Sequence, residues 1–270
     1  MNTGDDTYLL KQGWEQERAR LAGLSAQFDQ ITVRHLGAVG VGSGWHCLEI
    51  GAGAGSIAGW LAATVGAAGR VMVTDIDTRF LDDVAVPHVE VVRHDVTSDP
   101  IEQDAFDLVH ARAVLEHVPD PGEVVARLVR ALRPAGVLVL EDVLASGPVS
   151  QAWEKMVSPP GQRPALTRVV QAVAAGFRAV GAHPEFALEL PAALIAAGLR
   201  DVNAELTSRL IYGGTEESAF YALTLRQVGP RLIGAGLLDP DDADQIGAFA
   251  QDPASRWLSL GMVTAWGWRP

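Results

Sequence analysis

Residues 45–65 constrain this chain more than any other stretch. The apolar run Trp45-His46-Cys47-Leu48-Glu49-Ile50 leads into Gly51-Ala52-Gly53-Ala54-Gly55-Ser56 and then into Ile57-Ala58-Gly59-Trp60-Leu61-Ala62-Ala63-Thr64-Val65. Apolar runs of strand and helix length, separated by glycine punctuation, predict strand, turn and helix. Glycines suit such a turn because they accept positive φ and let the backbone approach a ligand closely. Amides at the start of the following helix favour a negatively charged ligand group. A second strand, Arg70-Val71-Met72-Val73-Thr74, ends in Asp75, about where a carboxylate can take the hydroxyls of a ribose. The unit is therefore expected to hold a nucleoside.

The glycine spacing says which kind. A dinucleotide-binding turn is written G-x-G-x-x-G; here the glycines fall at 51, 53 and 55, and Ser56 stands where the last one would be. The pattern Glu49-x-Gly51-x-Gly53-x-Gly55 resembles the first motif of class I S-adenosylmethionine-dependent methyltransferases. Three further stretches are similar to later motifs of that family. Val89-Glu90-Val91-Val92-Arg93-His94-Asp95-Val96 looks like its third strand and the aspartate that meets the adenine amino group. Residues 106–120 look like its fourth strand and the loop after it, and Leu132-Arg133-Pro134-Ala135-Gly136 like its turn into a fifth strand. The resemblance runs from about residue 45 to 143, close to the small-molecule, ubiquinone/menaquinone-methyltransferase-like branch.

That resemblance implies an α/β fold: a Rossmann-like, mostly parallel sheet with an antiparallel last strand, an N-terminal helical cap and a lid inserted after the fifth strand. It implies S-adenosyl-L-methionine as cofactor. Carried over residue by residue, Glu49, Gly51, Ala52, Gly53 and Gly55 surround the methionine part, and Asp75 binds the ribose. Ile76, Asp95 and Val96 meet the adenine, while Ala111 and Arg112 lie near the methionine end. Tyr8 is a candidate to close over that end, or simply an anchor for a helix start. Arg112 is also placed to pair with Glu116 four residues on. Asp77 reads as a helix cap rather than a ligand to the nucleoside.

Composition narrows the partners. The chain has 270 residues, 48% of them hydrophobic, and a formal charge of -12. It can bury a full core, and without clustered Lys and Arg it is a poor match for nucleic-acid phosphates. No apolar run approaches the ~20 residues of a membrane span. A single cysteine, Cys47, cannot form an internal disulfide, which suits the cytoplasm. There is no H-E-x-x-H or C-x-x-C spacing, and Glu141-Asp142 is the densest acidic pair, so no metal is expected.

The rest of the chain divides into a helical cap at 1–36, read as two helices, a cofactor-binding core at 37–145, a lid at 146–189 and a sheet-completing part at 190–270. A short helix is expected over residues 78–84. Helices are further expected at 122–132, 165–180, 190–199, 215–228 and 239–251, with strands over 202–211 and 257–268. Trp153, Met156, Phe177 and His183 are candidates to line an acceptor pocket, or plain core. Trp257, Trp266 and Trp268 could stack on an aromatic acceptor, pack the core, or form a homodimer face.

Methyl transfer is an in-line displacement at an already activated carbon, so the protein chiefly aligns the acceptor and, where needed, removes its proton. His117 is the preferred base, because an ordinary histidine titrates near neutrality, and Glu116 is its orienting partner; both belong to the segment after the fourth strand. The competing reading is that Glu116-His117 only starts a helix or hydrogen-bonds a neighbouring turn. The expected activity is methyl transfer to an oxygen or carbon centre of a small organic molecule, a secondary metabolite or quinone-like acceptor. The alternatives are an S-adenosylmethionine-binding enzyme that does not methylate, or a cofactor-binding regulatory subunit.

Overall fold

The computed structural model describes residues 9–10, 14–84, 86–144, 152 and 155–270. Among the described residues nine strands run in chain order as β1 (His46–Ile50), β2 (Arg70–Asp75), β3 (Val89–Arg93), β4 (Phe106–Arg112), β5 (Leu132–Leu144), β6 (Arg200–Thr207), β7 (Leu210–Tyr212), β8 (Arg256–Leu258) and β9 (Gly261–Trp268). Seven of them form one sheet in the order β3-β2-β1-β4-β5-β9-β6. β1 to β5 pair in parallel, and β6 pairs antiparallel with β9. This is the mostly parallel Rossmann-like α/β sheet expected from the sequence.

Parallel strands covered on both faces read as near-continuous apolar runs, and Cys47, Leu48, Glu49 and Ile50 of β1 are all buried. Helix α1 (Glu17–Ala38) precedes β1, α2 (Ser56–Val65) joins β1 to β2, and α3 (Pro121–Ala131) precedes β5. The Asp120 side chain accepts from the Glu123 amide to start α3, and Pro121 fills its first turn. From β1 the sheet grows outward to β2 and β3 on one side and to β4 and β5 on the other. The carboxyl ends of β1 and β4 therefore flank the topological switch point, where open α/β sheets bind ligands.

The chain divides into two compact units. One holds Asp29–Val143, Phe186–Thr207 and Met262–Pro270; the other holds Met1–Phe28, Leu144–Glu185 and Ser208–Gly261. The sheet unit has a core of Cys47, Leu61, Val65, Val71, Val73 and Leu108 among others, with Trp266 and Trp268 packed against it. The helical unit contains the helices Arg163–Ala179, Glu216–Gly234 and Pro240–Gln251. Its core centres on Trp257, only 2% exposed, with ring centroids 5.3 Å from Tyr221 and 4.9 Å from Phe249. Residues 208–261, expected as strands and extra helices that complete the sheet, fall in the helical unit, where their apolar faces build that second core.

Several local expectations are corrected. Among the described residues of the N-terminal region there is one unbroken helix of 22 residues where two were expected. Gly23 does not break it: a Cβ there would lie 2.8 Å from the Glu216 carbonyl oxygen, so the glycine permits close helix packing. Of the helix expected over 78–84, only a 3-10 turn at Asp82–Val84 forms. The strand expected over 202–211 divides into β6 and β7, and the one over 257–268 into β8 and β9. β7 and β8 pair with each other in a separate ribbon, which takes Trp257 into the helical core and leaves Trp266 in the sheet. The three tryptophans consequently share no common face.

Candidate functional site

The glycine turn has the backbone its sequence demands. Gly51, Gly53 and Gly55 have φ of 66°, 57° and 81°, all left-handed, a region costly to residues with a Cβ. A Cβ on Gly51 would collide with the Val114 side chain, and one on Gly55 would lie 2.9 Å from Val84 Cγ1. The turn is stapled to the end of β2. The Ala52 amide donates to the Thr74 carbonyl at 3.0 Å, and the Gly53 amide donates to Asp75 Oδ2 at 2.8 Å.

Asp75 holds a second amide, that of Asp77, on Oδ1 at 2.9 Å. Burial raises the Asp75 pKa, opposed by these two amides. Asp77 itself accepts from the Arg79 amide at 3.3 Å, a local side-chain turn in place of the helix cap expected, because the helix over 78–84 does not form. Ile76 leaves an apolar surface 39% exposed immediately after the acid. The His94 amide donates to the Asp75 carbonyl at 2.9 Å, which brings Asp95 beside the end of β2. Burial tends to raise the Asp95 pKa, but the Thr97 hydroxyl and amide, at 2.6 and 2.9 Å, hold it below the ordinary value. Val96 is buried next to it.

A charged network missing from the sequence reading lies behind the turn. His110 in β4 is fully buried, and its Nδ1 donates to Glu49 Oε2 in β1 at 2.6 Å. Its Nε2 lies 3.5 Å from Glu141 Oε2 in β5. Burial alone would lower the His110 pKa, but the two carboxylates lift it to about 9. Burial would raise Glu141, but His110 outweighs it and holds the acid at about 2. Thr264 in β9 donates to Glu141 Oε1 at 2.7 Å, and Thr32 in α1 donates to Oε2. Arg112 Nη1 donates to the Thr32 hydroxyl at 2.9 Å, and its Nη2 to Asp29 Oδ1 at 2.8 Å. The one signal for this network was three polar letters standing inside apolar strand runs.

Residues 48–140 match the family described as a methyltransferase domain. The matched stretch lies in a sheet of the class I methyltransferase fold. Among relatives of this chain, the protein named methyltransferase str3 of Strobilurus tenacellus is 26% identical over 84% of this chain and 79% of its own length. A ubiquinone/menaquinone biosynthesis C-methyltransferase, UbiE of Pseudomonas entomophila, is 32% identical over 38% of this chain and 43% of its own. Other curated relatives are matched over 30%, 57% and 51% of their length, so the chain spans less than two thirds of most of them. Among solved structures, Haemonchus contortus phosphoethanolamine N-methyltransferase 2, in complex with phosphomonomethylethanolamine and S-adenosylhomocysteine, superposes with a TM-score of 0.56. Identity is 14%, over 90% of this chain and 53% of that one, a likeness of fold.

In the sheet unit, the segment after β4 turns sharply. Ala113 has φ 54° and its amide donates to the Glu141 carbonyl at 2.7 Å. A 3-10 turn, Leu115–His117, follows, with His117 Nε2 3.3 Å from Glu116 Oε1. Asp142, at the end of β5, is 1% exposed and accepts from the Val114 amide at 3.2 Å. Burial pushes its pKa up to about 7, against the amides of Val114, Leu115 and Glu116. Ala111, also among the expected contacts, is buried in β4.

Tyr8 and Trp153 lie outside the described residues. Of the other pocket candidates, Phe177 packs against the helical unit's own core, and Met156 is 47% exposed. Cys47 is buried, its thiol pushed up to about 12 chiefly by burial. No helix among the described residues is long and apolar enough to cross a membrane.

Proposed function

We propose that this protein transfers the methyl group of S-adenosylmethionine to an oxygen or carbon centre of a small organic acceptor, a secondary metabolite or quinone-like molecule. The observation that carries the reading is the hydrogen bond from the Gly53 amide to Asp75, which binds the glycine turn and the ribose acid into one unit. The named relatives favour a small acceptor, and one of them is a C-methyltransferase of quinone biosynthesis.

In this reading Asp75 accepts the ribose hydroxyls on the lone pairs its two amides leave, Asp95 accepts from the adenine amino group, and Ile76 and Val96 flank the ring. The turn from Gly51 to Gly55, with Ala52, Ala111 and Glu49, encloses the methionine part. Arg112, already anchored on Asp29 and Thr32, presents its remaining N–H donors to the methionine carboxylate. The bound sulfonium supplies an activated methyl carbon. His117 takes the acceptor's proton and Glu116, 3.3 Å away, orients the ring. Tyr8 remains the proposed cover of the methionine end.

Calorimetric titration with S-adenosylmethionine, followed by incubation with radiolabelled donor and a panel of phenolic, quinone and polyketide acceptors, tests this. Binding with transfer to one of them supports the reading. Binding without transfer to any would point to a cofactor-binding protein that does not methylate, and no binding would remove the cofactor assignment itself.

A further inference from the structure

We propose that Asp142 is a positioning residue, which sets the segment after β4 against the glycine turn and so controls cofactor affinity. The inference rests on the reading that the glycine turn holds the cofactor.

Three observations carry it. First, Asp142 is 1% exposed at the carboxyl end of β5 and its Oδ1 accepts the Val114 amide at 3.2 Å. The carboxyl group thereby pins the residue from which the turn Leu115–His117 starts. Second, the anchored segment begins at a strained position, Ala113, with φ 54°. Such a backbone persists only where its surroundings over-determine it, and the Glu141 carbonyl, which takes the Ala113 amide at 2.7 Å, with the Asp142 carboxylate beside it, does so. Third, the residue that Asp142 holds is the one touching the turn: the Val114 side chain fills the place a Cβ on Gly51 would occupy. The chain of contact therefore runs from the carboxylate to the Val114 amide, through the Val114 side chain, to Gly51.

A merely structural acid would help the protein fold without altering ligand affinity, so the test reads both. Hydrogen exchange at the amides of residues 114–116 and calorimetric affinity for S-adenosylmethionine are measured on the full chain and on Asp142→Ala, Asp142→Asn, Val114→Ala and Asp75→Ala. Asp142→Ala is expected to speed exchange of these amides and to weaken cofactor binding, each by about tenfold, the scale of one lost buried hydrogen bond. Asp142→Asn keeps an acceptor oxygen and should restore both to within about threefold of wild type. Val114→Ala keeps the anchor and removes the contact, so it should weaken binding while protection at 115–116 persists; it also serves if Asp142→Ala does not fold.

The proposal is overturned if Asp142→Ala loses amide protection at unchanged affinity, if it leaves protection intact, or if Val114→Ala binds as wild type does. Asp75→Ala separates the two layers. If that variant also binds normally, the cofactor reading has failed rather than the positioning role alone.

Discussion

His110 Nδ1 lies 2.6 Å from Glu49 Oε2, joining the centre of β4 to the last turn-facing acid of β1 inside a fully buried layer. With Glu141 on the far side, a histidinium sits between two carboxylates on adjacent strands. Breaking a buried pair by removing one partner leaves an uncompensated charge and typically costs ~3–5 kcal/mol.

The sign of the pH dependence follows from these groups. The His110 pKa is raised from 6.5 to about 9, so its contribution is complete below about pH 6.5 and is lost as pH rises through about 9. The Glu141 pKa is lowered from 4.5 to about 2, so its contribution is complete above about pH 4.5 and lost as pH falls toward 2. Thermal unfolding of wild type and His110→Gln between pH 6 and 10 checks the alkaline side. The variant should be less stable by about 3–5 kcal/mol at pH 7, and should lack the wild-type decline toward pH 10. A variant that declines in parallel with wild type would take His110 out of the account.

Asp142 predicts the opposite kind of effect. Its pKa rises from 3.8 to about 7, chiefly by burial, so folding favours the protonated acid and that benefit is lost as pH climbs through about 7. An asparagine there carries no charge to bury at any pH. Asp142→Asn should therefore melt above wild type at pH 8, with the advantage gone below about pH 4. Equal melting temperatures at pH 8 would contradict it.

Gly51→Ala should damage the site through two costs at once, the left-handed φ of 66° and the collision with Val114. Gly66 is the control: its φ is 64° but nothing lies within 4 Å of a Cβ there. Both alanine variants should lose about 1–2 kcal/mol of stability to the backbone, while only Gly51→Ala should weaken S-adenosylmethionine binding, by tenfold or more on the scale of ~1.4 kcal/mol per decade. Similar affinities for the two variants would show that the turn tolerates the side chain.

Replacing His117 with alanine should slow turnover by about 10²- to 10⁴-fold, the usual contribution of a general base, while calorimetric cofactor affinity stays at the wild-type value. Unchanged turnover would assign Glu116 and His117 to the turn alone.

The parts of the fold legible in advance were those where a local backbone demand has a single chemical answer. Positive φ calls for glycine, and Gly51, Gly53 and Gly55 supply it; strands buried on both faces call for mainly apolar runs, and β1, β2 and β4 supply them apart from a few polar positions. Asp75 was legible because the β-α-β spacing brings that carboxylate back to the turn. The network of Glu49, His110 and Glu141 was hidden because its members are distant in sequence and meet only through strand order, which periodicity does not encode. The same limit applies to the second core: Trp257, Tyr221 and Phe249 converge from separate segments, and no local pattern distinguishes a helix that covers the sheet from one that packs elsewhere.

The layer formed by residues 49, 110 and 141 also restricts how this sequence can drift. Losing any one member strands the others as uncompensated ions, whereas a concerted exchange for apolar residues of similar volume would cost far less. Substitution there is accordingly a matter of joint steps, and in diverging copies of this chain the three positions should be retained or abandoned as a set.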